Sequence, residues 1–230
     1  WRAENTQKGR FREFLQCDAD IVGSSSVLSD LEILGCVNTA MKNLGFQDFS
    51  ILVNSRKVFD MFGANKKIIS ILDKEDKIGK DKVLKLLSEV MKSDRKAQDF
   101  YNNIKNLQPK SIPDRLKEIL KKEDELNFFP AFFLARGLDY YTDLIFEVKI
   151  PKYKGGSVCG GGRYDNLIGM FSGKNIPAVG FSFGFDRLME AMEELNLFPK
   201  DLQTTKVLVT VFSTELSGKS TEIADLLREK

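Results

Sequence analysis

Residues 10 to 22, "RFREFLQCDADIV", place Phe11, Leu15, Cys17, Ala19 and Ile21 on one parity and Arg10, Arg12, Gln16, Asp18 and Asp20 on the other. A period of two fits a strand, because successive side chains of an extended chain point to opposite faces of a sheet. One face belongs to a core and the other is polar, which is the pattern of an antiparallel sheet with one open side. Plain solvent accounts for that polar side as well as a ligand does. Asp18 and Asp20 repel each other, which water tolerates and which otherwise calls for a cationic group nearby.

The rest of the chain extends this sheet. "SSSVLSDLEILGCVNTAMKNLGF" supplies N-cap serines and then Leu28, Leu31, Leu34 and Val37 near helical spacing before Gly45. A short strand, "FSILVNS", follows. From 56 to about 126 the sequence turns rich in Lys, Asp and Glu, with helical repeats in "KDKVLKLLSEVMKS" and "IPDRLKEILKKEDEL". This is read as a helical insertion between strands, its lysines forming a solvated face in preference to an RNA contact. "DLIFEVKI" is again a strand. "AVGFSFGFDRLMEAMEELNL" passes from strand into a helix with Leu188, Met192 and Leu195 inward and Glu190, Glu193 and Glu194 outward. After a linker at "LFPKDLQTT", with a boundary near Pro199, "TKVLVTVFSTELSGKSTEIADLLREK" reads strand, loop, helix, the start of an α/β-type unit. The fold class is α+β.

Composition removes several kinds of chemistry. With no histidine, Ser-His-Asp and Cys-His nucleophiles and most catalytic zinc sites are excluded. Cys17, Cys36 and Cys159 lack CxxC spacing and read as small buried residues. The 35 basic and 33 acidic residues nearly cancel, so overall charge makes no case for a nucleic-acid coat. No apolar run reaches the roughly 18 residues of a spanning helix, and the opening residues are too polar for a secretory signal, so a cytoplasmic setting without membrane is expected. The chain opens on Trp1 and stops at Lys230 inside an amphipathic helix, which reads as a piece of a longer protein.

Three local features bear on chemistry, and the first is only an imitation. "VLVTVF" before "SGKS" imitates a phosphate loop, yet a Walker loop needs glycine where Ser213 stands, so it is a decoy. Gly160, Gly161 and Gly162 allow close backbone approach, to a ligand or in a tight turn, and Arg163 with Asp165 behind them form a bidentate pair in a built site. Arg187 sits where strand gives way to helix. A cation there opposes the helix dipole, which points to an anionic partner such as phosphate.

Taken in order, "WRAE", "GRFREFLQCDADIVG", "ARGLDYYTDLIFEV", "VCGGGRYDNLIGMF" and "PAVGFSFGFDRL" closely resemble the histidyl-tRNA synthetase family of class II aminoacyl-tRNA synthetases. "ILDKEDKIGKDKVLKLL" is also similar to that family. The resemblance implies a catalytic core over 1–198 lacking the family's first motif, interrupted by the insertion at about 56–126. Residues 205–230 would be the truncated start of an anticodon-binding domain. The implied fold is a class II antiparallel sheet flanked by helices.

The resemblance also implies roles. Arg2 holds the ATP α-phosphate, Glu4 helps place the adenine, Arg10 approaches the phosphates and Arg187 clamps the triphosphate. Arg136 lies beside the α-phosphate and the histidine carboxylate, and with Arg2 is the catalytic pair. Gln16, Asp20, Tyr140 and Tyr141 line the histidine pocket. Relatives commonly carry Glu at the position of Asp20 and Gly at that of Asp143. Alternation adds that Tyr141, Asp143 and Glu147 share the site face while Leu144, Phe146 and Val148 face the core. The implied activity is ligation of histidine to tRNA(His) through an adenylate, using ATP with Mg2+, in a homodimer whose first motif and α-amino-binding acid lie upstream of Trp1; this chain alone would be incomplete. The competing reading is an inactive regulatory or sensor relative, of the ATP phosphoribosyltransferase regulatory-subunit type, that binds histidine or tRNA.

Overall fold

Strand β1 (Gln16–Val22) lies antiparallel to β6 (Ala178–Gly184), from Gln16 opposite Gly184 to Val22 opposite Ala178. A computed structural model of the chain describes residues 3, 11–122, 126–136, 140–199 and 205–228. Its six-stranded sheet runs β1-β6-β5-β4-β2-β3, with β2 (Ser50–Ser55), β3 (Phe128–Pro130), β4 (Leu144–Lys149) and β5 (Cys159–Arg163). Every pairing is antiparallel except β2 with β3. Pro130 closes the edge strand β3, where a missing N–H costs no ladder bond. The fold is therefore α+β, with a mainly antiparallel sheet.

Helix α1 (Val27–Asn43) is capped by Ser26, whose hydroxyl accepts from Leu28 N at 3.2 Å. Its buried stripe is Asp30, Ile33, Leu34, Val37, Asn38 and Met41, a regular helical face. Leu34 and Val37 lie on it as expected, whereas Leu28 is 70% exposed and Leu31 only partly buried. The stripe passes through a charged residue, Asp30, which a search for apolar spacing skips. Cys17 and Cys36 are exposed and only Cys159 is buried, against the expectation for all three. The reason for Cys17 and Ala19 is that β1 is an edge strand whose odd-numbered face α1 leaves largely open.

Between β2 and β3 the chain passes through α2 (Arg56–Met61), α3 (Lys66–Leu72), α4 (Glu75–Ile78), α5 (Lys80–Met91), α6 (Asp94–Lys105) and α7 (Asp114–Leu120). Phe59, Ile68, Ile69, Leu72, Val83, Leu87, Tyr101 and Ile104 build a core here that also takes in Ala135 and Ile145 of the sheet region. Helix α8 (Leu167–Ser172) joins β5 to β6, and α9 (Phe185–Glu194) leaves β6 with Leu188, Ala191 and Met192 buried. Glu190, expected outward, accepts from Tyr153 Oη at 2.6 Å. Among the described residues no helix is long and apolar enough to cross a membrane.

The chain divides into two compact units, Trp1–Leu197 and Phe198–Lys230. The second carries α10 (Ser217–Arg228), but "VLVTVF" forms no strand. Strands need a ladder partner, and no described segment provides one; Leu208 and Phe212 stand 79% and 92% exposed.

Candidate active site

The even-numbered side of β1 continues across β6, β5 and β4 as one polar face, and glycine clears it. A Cβ on Gly160 would collide with the Arg136 guanidinium, one on Gly162 with the Tyr141 ring and the Leu144 carbonyl, and one on Gly180 with the Asp20 carboxylate. These glycines form strand rather than a turn, and their role is space for side chains that lie flat on the sheet.

Arg136 crosses Gly160 and donates from Nη1 to Glu147 Oε2 at 2.9 Å. The same oxygen accepts from Ser157 Oγ at 2.6 Å, and Lys149 Nζ lies 3.5 Å from the other carboxylate oxygen. Lys149 is also paired with Asp76 of α4. Arg187, in the first turn of α9, donates from Nη1 to the Ser157 carbonyl at 3.1 Å. Ser157 therefore links the two arginines through Glu147. A helix N-terminus and two guanidiniums together make an anion-binding region.

Beside it is an aromatic group. Tyr140 and Tyr141 have ring centroids 4.3 Å apart, and Tyr164 lies 6.3 Å from Tyr140. The Tyr164 hydroxyl donates to Asp20. Burial raises the Tyr141 phenol above its ordinary pKa, helped by its hydrogen bond with Tyr140; burial and then the bond to Asp20 raise Tyr164. Both stay neutral donors at ordinary pH. Gln16 Nε2 donates to Ser182 Oγ, and Ser182 pairs with Gly160 in the sheet.

Thus Gln16, Asp20, Arg136, Tyr140, Tyr141 and Arg187 share one face, while Arg2, Glu4 and Arg10 lie outside the described residues. Two expectations fail. Asp143 does not share the Glu147 face: β4 begins only at Leu144, so alternation does not extend to 143, and its carboxylate accepts from Ser55 and Lys57 on the opposite side of the sheet. Arg163 and Asp165 do meet, at 3.0 Å and through one nitrogen, but Arg163 is fully buried behind the sheet and belongs to no ligand site. The sequence assigns no role to Glu147, Ser157, Tyr164 or Ser182. Alternation placed Glu147 on the face, and Tyr164 stood inside a quoted motif; Ser157 and Ser182 had no local signal.

Such a face can hold a phosphate-bearing anion beside a small ring with N–H donors. Its carboxylates already have partners: Asp20 accepts from Tyr164, and Glu147 from Arg136 and Ser157.

A family model described as histidyl-tRNA synthetase matches residues 1–188. The histidine--tRNA ligase of Cytophaga hutchinsonii is 39% identical over 92% of this chain and 54% of its own length. A crystal structure of histidyl-tRNA synthetase from Nostoc sp. PCC 7120 superposes with a TM-score of 0.68, at 27% identity, over 95% of this chain and 60% of that one. An ATP phosphoribosyltransferase regulatory subunit/histidyl-tRNA synthetase from Bacillus halodurans C has a TM-score of 0.65 at 19% identity, covering 80% of this chain and 55% of that one, which is a likeness of fold alone. The chain spans about half the length of the curated relative above. By sequence and by fold, it belongs to the histidyl-tRNA synthetase family.

Proposed function

We propose that this chain is the greater part of the catalytic domain of a histidine--tRNA ligase. The observation that carries the reading is Arg136, laid over Gly160, fixed by Glu147 and placed beside the Tyr141–Asp20 side of the same face. Residues 1–198 form the catalytic core, with 56–126 as its insertion, and 205–230 begin an anticodon-binding domain.

In the first step a histidine carboxylate oxygen, already ionised, attacks the ATP α-phosphorus. A new P–O bond forms, the bond to the bridging oxygen breaks, and pyrophosphate leaves without a proton transfer. The difficulty is repulsion between two anions. Arg136, with Arg2, offsets it and the charge that develops in the transition state, and Arg187 holds the departing phosphates. Mg2+ would enter with the ATP substrate, its charge offsetting that of the phosphates.

Asp20 is the acceptor for an imidazole N–H, its carboxylate oriented by Tyr164, and Tyr141 closes the pocket. A ligand lacking those hydrogen bonds would cover the Asp20 carboxylate without pairing it and be rejected. In the second step the 3′-terminal ribose hydroxyl of tRNA(His) attacks the adenylate carbonyl and AMP leaves. A homodimer and a cytoplasmic setting complete the proposal.

The test is ATP–pyrophosphate exchange by the full-length protein with histidine and, as controls, other amino acids. Histidine-dependent exchange is expected. Histidine binding without exchange would replace this reading with the regulatory one.

A further inference from the structure

Behind the sheet lies a buried cluster of charge that touches no part of the proposed site. Arg163, fully buried, donates from Nε to Asp30 Oδ1 at 2.8 Å and from Nη1 to the Ser24 carbonyl at 2.9 Å and to Asp165 at 3.0 Å. Arg115 of α7 pairs with the other oxygen of Asp30, donates to the Ser25 carbonyl at 2.6 Å and reaches Asp143 through Nε at 3.4 Å. Asp143 also accepts from Ser55 Oγ at 2.6 Å and lies 2.7 Å from Lys57 Nζ. Burial raises the Asp30 carboxyl against the opposing pull of Arg163 and Arg115.

This cluster is interleaved with the pocket along the chain. Thr142 and Asp143 directly follow Tyr140 and Tyr141, and Tyr164 stands between Arg163 and Asp165. The two segments are stitched together, since Thr142 N donates to the Arg163 carbonyl at 2.8 Å and Asp165 N to Thr142 Oγ1 at 3.2 Å. Arg56 N donates to the Asp143 carbonyl at 2.8 Å. Displacing Asp143 therefore moves the backbone that carries the pocket tyrosines.

We infer that Arg115 is a positioning residue: by bridging Asp30 and Asp143 it fixes the tyrosine pair and makes amino-acid affinity depend on how α7 is docked. The inference rests on the proposed ligase reading, and it assigns to the 56–126 region a part in amino-acid selection. Arginine suits the task because its fork serves two carboxylates and a carbonyl at once, which lysine cannot do. Asp143 keeps Ser55 and Lys57 when Arg115 is removed, so the carboxylate is not left unpaired.

The experiment is exchange kinetics on full-length Arg115→Met and Arg115→Lys proteins. Arg115→Met should raise the histidine KM about tenfold, as expected of a pocket displaced from its productive geometry, with kcat and the ATP KM within about twofold. Arg115→Lys should fall between it and the parent. An unchanged histidine KM, or a loss confined to kcat, overturns the inference. Should Arg115→Met not fold, Asp143→Asn is expected to give the same selective rise, and its absence is equally decisive. A parent with no histidine-dependent exchange sinks the ligase reading instead. The positioning claim is then read from tyrosine absorbance: Arg115→Met should loosen the packing over Tyr141 and let that phenol ionise at lower pH, and an unaltered titration overturns it.

Discussion

The two sides of the central sheet are both polar, and they differ in what their polarity is for. On the open side Asp20, Arg136 and Arg187 are held from beneath or beside by Tyr164, Glu147 and Ser157, and the Arg136 side chain remains 37% exposed. On the closed side Arg163, Asp30 and Asp143 are sealed from water and spend their hydrogen bonds on each other and on backbone carbonyls. A charge with a fixed partner and an exposed flank can meet a ligand; a charge paired on every side is architecture. Neighbouring residues of one segment serve the two purposes, Arg163 behind and Tyr164 in front.

Substitutions can break that contrast, beginning with the most disruptive. Arg163→Met should cost about 3–5 kcal/mol in urea unfolding, because it leaves the fully buried Asp30 carboxylate with one of its two guanidinium partners. Equal stability to the parent would mean that the back cluster is not structural. Gly160→Ala reverses the effect. The atoms nearest its new methyl belong to the movable end of Arg136, so stability should change by less than about 1 kcal/mol while exchange falls about tenfold through displacement of the guanidinium. Unchanged exchange would detach Arg136 from the chemistry.

A pH measurement sharpens the same contrast. Tyr101, buried in the helical region and donating to Glu75 at 2.9 Å, has its phenol pushed up to about 12, by burial first and then by that acceptor. Tyr141, Tyr153 and Tyr164 are raised as well, with burial the main cause in each. The folded phenols keep their protons where unfolded ones, near 10, lose them. Their contribution to stability is therefore complete below pH 10 and for Tyr101 is lost as pH rises towards about 12. Absorbance at alkaline pH should show these four ionising late in the native protein and near pH 10 in urea; coincident curves would contradict their burial. The smallest effect is expected at Asp76→Ala. It removes an exposed pair with Lys149 and should alter stability by no more than about 0.5 kcal/mol.

Much of the open face was legible in sequence, Arg187 from its charge at a helix start, the Glu147 face from alternation, and the rest through the family resemblance of the motifs that carry it. Gln16, Asp20, Arg136, Tyr140, Tyr141 and Arg187 were singled out and lie on that one face, and strands β2, β4 and β6 follow the apolar runs that foretold them. The closed face was not legible. A buried Asp30 on a helix looks like a solvent residue, so apolar spacing starts the stripe of α1 at Leu28, whereas burial follows Asp30 and Ile33. Asp143 was assigned by an alternation that starts only one residue later. Ser157 acts through its position beside Glu147, which no spacing along the chain encodes. Residues 206–212 have the composition of a strand, but a strand is a property of two segments, and composition reports one.

The most direct measurement is histidine-dependent ATP–pyrophosphate exchange by full-length Arg136→Ala protein beside the parent, with the unfolding midpoint of each. A fall of about a hundredfold, on the order of 3 kcal/mol of lost transition-state stabilisation, with an unaltered midpoint is the predicted result. Near-parental exchange in the folded variant would contradict the assignment of the open face as the site of histidine activation.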